Sequence, residues 1–471
     1  MNMHTFRQEA RAWIDAHAEE MVADIQAFSR IRSVSRADQA AEGAPFGREC
    51  RRMLDFALAR AREMGFETED HEGYCGSAIL GDRHNAIGIV AHLDVVPEGD
   101  KWLYPPYEAT RKGDFLIGRG VNDDKNAAVM GLYLMRMFRE LDVPLLHGLR
   151  VLMGCSEETG MEDMAYYVKH YPQPVVSLIP DSMFPSNYAQ KGSIKGLFEI
   201  DAGEQIVEMR GGEVFNMVPP NATALLRGVE PFDAPEGVEV VREGECIRVN
   251  ATGAAAHAAR PEGGISAIHR LASALTCAGV LSGQSAAAMR GIEALSGDIY
   301  GGRAAIACED PDTGRSTMVC GMVYTVGGSL FLSVDCRLSI ATDVERDARI
   351  LQDYGRSLGF RPREFSTTAP VYIPKDDPII QAAQRAYFEV TGDPAEPFTS
   401  GGGTYARLLS NAVTFGLIFP GERPRPDGLP DGHGGAHAPD ELLYIPDLLR
   451  GMEIYALAIR LLDDAALKED A

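Results

Sequence analysis

The run AIGIVAHLD, residues 86–94, is a short apolar segment that ends on two polar side chains, His92 and Asp94. Its length is that of a buried strand rather than a helix, and a strand buried on both faces belongs to a covered, parallel sheet. Two further segments have the same form. LRVLMGCSEE, residues 149–158, ends on Glu157 and Glu158, and VVSLIPD, residues 175–181, ends on Asp181. SAIL, residues 77–80, adds a fourth short apolar run. Helical spacing separates or precedes them, over about residues 6–30, 46–64, 124–141 and 161–171, the second stretch stopped by Gly65. That alternation predicts an α/β domain with a mostly parallel sheet covered on both faces. Sites in such sheets form beyond the carboxyl ends of the strands, which is where the polar residues fall.

Outward from this segment the texture changes. From about residue 187 to 373, SIKGLFEID, CIRVNATG, STMVCGMVYTV and SLFLSVDCRLS alternate as antiparallel strands do. Helices are predicted near residues 264–278 and 343–358, so this stretch reads as an inserted α+β domain. The α/β style then returns, with a helix over about 378–390, a glycine cluster, the strand VTFGLIF and a last helix near 445–462. The expected organisation is a first domain built from residues 1–186 and 374–471, with residues 187–373 inserted. Two or three folding units suit a chain of 471 residues.

Composition bounds the function. With 45 Lys and Arg against 68 Asp and Glu, the formal charge is −23, a field that repels phosphate backbones and anionic lipid, so nucleic-acid and membrane partners are not expected. The first twenty residues lack an apolar core of signal-peptide length. The eight cysteines show no paired spacing and read as free thiols. A cytoplasmic protein is the expectation.

Carboxylate oxygen and imidazole nitrogen at strand ends are donors for hard or borderline divalent metals. The candidates down the chain are His92, Asp123, Glu158, Asp181 and His437. Two histidines and three carboxylates allow one carboxylate to bridge two ions and leave each ion a histidine and a carboxylate of its own. Two such ions activate a water and polarise a carbonyl.

The segments AHLDVVPEGDKW, GRGVNDDKN, CSEETG, IPDSMFP, NMVP, GAAAHAARPEGG, SGGGTYARLL and HGGAHAPDE occur in this order along the chain. Together they resemble the co-catalytic dinuclear metallopeptidases, the group of carboxypeptidase G, the aminoacylases and succinyl-diaminopimelate desuccinylase. The similarity is closest to the peptidase V-type bacterial dipeptidases. It implies a metal-dependent dipeptidase with two divalent ions, zinc by preference with manganese or cobalt accepted, and a small peptide as substrate. It implies that His92 and Asp181 serve one ion, Glu158 and His437 the other, and that Asp123 bridges them across a cis bond to Asp124. By the same resemblance Asp94 orients His92, Asp124 caps the following helix, and Glu157 is the general base. His257, in an inserted lid domain, stabilises the oxyanion, and Asn216 and Arg337 grip the substrate's terminal carboxylate. His433 could coordinate by spacing alone, but the downstream Asp440-Glu441 pattern points to His437. Asn126 and Ser266 stand where relatives often carry Gly and Asn. The enlarged lid implies a monomer, although relatives with small lids dimerise. Two other functions share the scaffold: deacylation of N-acyl amino acids or succinyl-diaminopimelate, and non-catalytic binding of a metal or amino acid.

Overall fold

In the computed structural model, which describes residues 2–465, the apolar runs are strands and the polar residues lie just past their ends. The chain divides into two units. One comprises Met1–Tyr188, Ile373–Phe398 and Gly403–Ala471, the other Ala189–Tyr372 and Thr399–Gly402.

The first unit is built on strands β1 (Glu67–His71), β2 (Cys75–Leu80), β3 (Ala86–His92), β4 (Gly148–Gly154) and β5 (Val176–Ile179), joined by a late strand, Ala412–Thr414. Their order across the sheet is β1-β2-β4-β3-β5 and then Ala412–Thr414. The four central strands run parallel, and β1 and β2 form an antiparallel flank. Every residue of β3 and β4 is buried, as expected of strands covered on both faces. Side chains alternate between those faces. Ile89 and Val151 meet α1 (Lys125–Glu140) where Gly131 lets the helix approach, while Val90 and Leu152 pack with Met164 and Tyr167 of α2 (Glu162–His170). The register pairs His92 with Gly154, so the turns after β3 and β4 start side by side.

VTFGLIF, read as one strand, is broken in two at Phe415–Gly416. Gly416 has φ 73° and packs where a Cβ would lie 2.4 Å from the Phe184 ring, a placement that only glycine accepts.

The second unit is an antiparallel sheet. Its strands run in the order Val238–Glu243, Cys246–Thr252, Asn221–Arg227, Ile206–Gly211, Val323–Val326, Ser329–Leu338, Gly192–Asp201 and Arg361–Thr368. Helices Ala267–Ala278 and Val344–Ser357 match the two read from the sequence, and a third, Gly283–Ser296, was not anticipated. None of the eight cysteines is paired. No helix of the described residues is long and apolar enough to cross a membrane.

Candidate metal centre

Two triads of donor atoms converge beyond the carboxyl ends of β3, β4 and β5. His92, Asp123 and Asp181 form one, and Asp123, Glu158 and His437 form the other, with the donor atoms of each within 4.8 Å of one another. Asp123 belongs to both. Its Oδ1 lies 3.1 Å from His92 Nε2 and its Oδ2 3.2 Å from His437 Nε2. Glu158 Oε1 is 2.9 Å from the same His437 nitrogen. A tetrahedral ion with bonds of about 2.0–2.1 Å holds its donors roughly 3.3 Å apart, so these spacings suit a shared cation as well as hydrogen bonds.

The electrostatics point the same way. Burial pushes the Asp181 carboxyl up to about 8, helped by repulsion from Asp123. Burial, with Asp181 next in weight, also drives the Glu157 carboxyl well above its ordinary range. The Asp123 carboxyl is raised by burial but drawn below its ordinary value by the hydrogen bonds from His437 and His92. Hydrogen bonding to Asp123 and Glu158 holds His437 up to about 10. The positive charge set against these carboxylates comes from the raised histidines, and a bound cation would take over that part, drawing the Asp181 and Glu157 carboxyls and the His437 ring back down. The donor set therefore fits divalent metal.

The neighbouring residues fix these donors. His92 Nδ1 is hydrogen-bonded to the main-chain carbonyl of Asp94 at 2.9 Å, while the Asp94 carboxylate lies 3.5 Å from the ring. That carboxylate is engaged elsewhere: its two oxygens accept the main-chain N–H groups of Glu157 and Glu158, each at 3.1 Å. Asp94 thus fixes the main chain of Glu157 and Glu158 as well as lying beside the histidine. Asp124 sits at the helix N-cap without capping it. Its carboxylate turns back to accept the His92 N–H at 3.3 Å, which corrects the capping role expected of it. The Asp123–Asp124 bond is cis. His433 donates to or accepts from Asp440, 2.7 Å away, and is in neither triad.

Several residues support this centre in ways the sequence did not indicate, Glu441 having served there only to single out His437. Glu441, fully buried, accepts the N–H groups of Asn122 and Asp123 on one oxygen and pairs with Arg119 through the other at 2.8 Å. Asp163, also fully buried, accepts the amides of Cys155 and Ser156 and the Tyr405 hydroxyl on a single oxygen, at 2.5, 2.8 and 2.5 Å. Four successive amides of the CSEE turn are therefore held by two carboxylates, Asp163 and Asp94.

Asn216, His257 and Arg337 all lie in the second unit. Met217 pairs directly with His257, and the Asn216 carbonyl accepts the Ala258 N–H, so Asn216 and His257 are neighbours. His257 Nδ1 accepts the N–H of Ala259 at 3.1 Å, which assigns the proton of the neutral ring to Nε2. Burial and then the Arg337 charge lower the His257 pKa and favour that neutral form. Arg337 is buried, and its Nε–Nη2 edge is taken up by Asp335 at 2.6 and 3.0 Å, with Nη1 donating to the Gly401 carbonyl at 2.7 Å. A substrate carboxylate would meet the remaining N–H groups, not that edge. Ser266 caps its helix through an Oγ that accepts the His269 N–H. Asn126 is fully buried, its amide atoms without a partner in the protein.

Known proteins resemble this chain along most of its length. The family model of peptidase family M20/M25/M40 matches residues 88–461. "Putative dipeptidase YtjP" of Bacillus subtilis is 29% identical over 462 residues, covering 94% of this chain and 96% of that protein. A Staphylococcus aureus relative, "Putative dipeptidase SAUSA300_1697", is 26% identical over 467 residues, 95% of this chain and 97% of its own. Among solved structures, human carnosine dipeptidase 1 has a TM-score of 0.59 at 14% identity and covers 98% of this chain and 100% of its own. The dipeptidase Dug1p of Saccharomyces cerevisiae has a TM-score of 0.60 at 14% identity, covering 98% and 99%. Both share the fold.

Proposed function

The chain belongs to peptidase family M20/M25/M40, and from that premise we propose that it hydrolyses the peptide bond of unblocked dipeptides, using two divalent metal ions at the Asp123 centre. The observation that carries this reading is that Asp123 offers one carboxylate oxygen to each of two histidines, with a further carboxylate in each triad. The dipeptidase names of the full-length relatives support the substrate class. His92 and Asp181 would hold one ion and Glu158 and His437 the other. Zinc suits this mixed nitrogen and oxygen set, which manganese and cobalt also accept.

Bound there, the ions supply Lewis acidity toward the scissile carbonyl and toward a water molecule. Glu157, which is in neither triad, takes the proton from the attacking water and returns it to the leaving amine. Asp94 keeps Glu157 and Glu158 in place through their amides. His257, with its proton on Nε2, donates to the carbonyl oxygen as negative charge develops there. The uncommitted N–H groups of Arg337, with Asn216, bind the C-terminal carboxylate of the substrate. The large second unit, Ala189–Tyr372, supports a monomer as the working form, with a dimer as the alternative.

The test is a turnover panel with zinc-, manganese- and cobalt-loaded protein and elemental analysis of bound metal. Free dipeptides should be cleaved, a chelator should stop the reaction, and acetylation of the substrate amine should abolish it. Turnover of N-acetyl amino acids or N-succinyl-diaminopimelate alone would replace the substrate assignment. Metal binding without turnover of any member would make the chain a binding protein.

A further inference from the structure

A cavity of about 370 Å³ lies in the first unit beside the Asp123 centre. Asn122 and Ala436 form part of its wall, and their chain neighbours Asp123 and His437 approach to 3.2 Å. It is therefore one residue removed from two of the donors. The volume is at the lower end of small-ligand pockets, enough for one amino-acid side chain rather than a peptide.

Its chemistry is specific. Phe115, Leu442 and Tyr444 supply apolar walls, and the loop after Pro420 brings in Arg423 and Arg425. Arg425 is committed to the loop itself, its Nη2 donating to the carbonyls of Pro430 and His433 at 2.8 and 3.0 Å. Those carbonyls hold the side chain but do not neutralise it. Arg423 has no hydrogen bond or ion pair of its own among the described residues, and the one carboxylate of the lining, Asp447, acts on it only through space. Arg450 also acts on Asp447, over the Phe419 ring at 5.1 Å. In a chain of net charge −23, this lining carries two guanidinium groups against one carboxylate.

We propose that this cavity is the subsite for an acidic side chain on the N-terminal residue of the dipeptide, whose carboxylate pairs with Arg423. The inference rests on the dipeptidase reading above. The scissile carbonyl of a dipeptide belongs to its N-terminal residue, so that residue sits at the Asp123 centre, one residue along the chain from the cavity wall at Asn122 and Ala436. Glutamate suits both parts of the lining: its methylenes pack against the apolar walls and its carboxylate meets a planar donor fork. A neutral side chain fills the same space and leaves the guanidinium unpaired.

The experiment compares kcat/KM for Glu-Ala and Gln-Ala, isosteres that differ in charge, using metal-loaded wild type, Arg423→Gln and Arg423→Glu. Wild type should favour Glu-Ala by roughly tenfold or more, the scale of one charge-assisted hydrogen bond. R423Q should bring the ratio toward one, and R423E should invert it and favour Lys-Ala over Gln-Ala. Because the readout is a ratio within each variant, a general loss of activity does not mimic the effect. A wild-type ratio near one, or a ratio that R423Q leaves in place, overturns the subsite while cleavage itself upholds the dipeptidase reading. Absence of cleavage of any dipeptide removes the premise and the subsite with it.

Discussion

Glu157 and Glu158 are adjacent carboxylates with different partners. Glu158 meets His437 at 2.9 Å, whereas Glu157 belongs to neither donor triad and is raised in pKa by burial and by the charge of Asp181. In the proposed mechanism Glu158 holds a metal while Glu157, outside both triads, carries the proton. Replacing Glu157 by Gln keeps the shape and removes the proposed base. We expect kcat to fall by roughly 10²–10⁴-fold, the usual worth of a positioned acid–base group, with the full complement of metal retained. Elemental analysis that finds one ion missing from E157Q would make Glu157 a ligand. The same substitution at Glu158 should cost metal before it costs chemistry. Arg337 shows the opposite relation between residue and role, because Asp335 already occupies one edge of its fork. Its capacity for a substrate carboxylate is smaller than the residue type alone suggests.

At the scale of elements, the CSEE turn is positioned by parts of the chain distant from it. A Cβ on Gly154, the last residue of β4, would lie 2.0 Å from the Tyr405 hydroxyl and 2.4 Å from the Asp163 carboxylate. The absence of a side chain at Gly154 is what lets that pair reach the turn. Gly154→Ala should therefore lower both the melting temperature and kcat, by more than Tyr405→Phe, which removes one hydrogen bond to a buried carboxylate at a cost of about 1–3 kcal/mol. A G154A protein that melts with wild type would show that the close approach is not required. The sequence made the donors legible for a physical reason: His92, Glu158 and Asp181 are polar residues that directly follow apolar strands, and no packing role explains them there. The supports were not legible. Asp163 looks like an acidic residue in the first turn of an amphipathic helix, and Tyr405 lies 242 residues away after a run of glycines. Only tertiary structure brings them to one oxygen. The division of VTFGLIF was equally hidden, since its cause is the Phe184 ring against Gly416. Helix Gly283–Ser296 went unread because its small residues give a weak apolar stripe. Asp124, expected to cap the helix it precedes, instead turns its carboxylate toward the His92 amide.

For the whole molecule, the metal centre concentrates buried negative charge in a chain that already carries −23. Without metal, burial and Asp123 push the folded Asp181 up to about 8, whereas an unfolded aspartate titrates near about 3.9. Between those values the folded state holds a proton that the unfolded state has lost, so folding stability declines as pH rises. His437, held up to about 10 by Asp123 and Glu158, acts in the same direction: its contribution is complete below the unfolded value of about 6.5 and is lost toward the folded one. The metal-free protein should therefore lose melting temperature steadily from about pH 5 to 9. Ions that bind the folded state alone stabilise it by mass action, and they bind more tightly as the donors shed protons. Metal should thus raise the melting temperature more at pH 9 than at pH 5, so the gap between loaded and metal-free protein widens with pH. Paired thermal melts with and without chelator measure that gap. A constant difference across the range would mean that the carboxylates ionise in the metal-free fold without penalty, and that cation binding does not relieve their crowding.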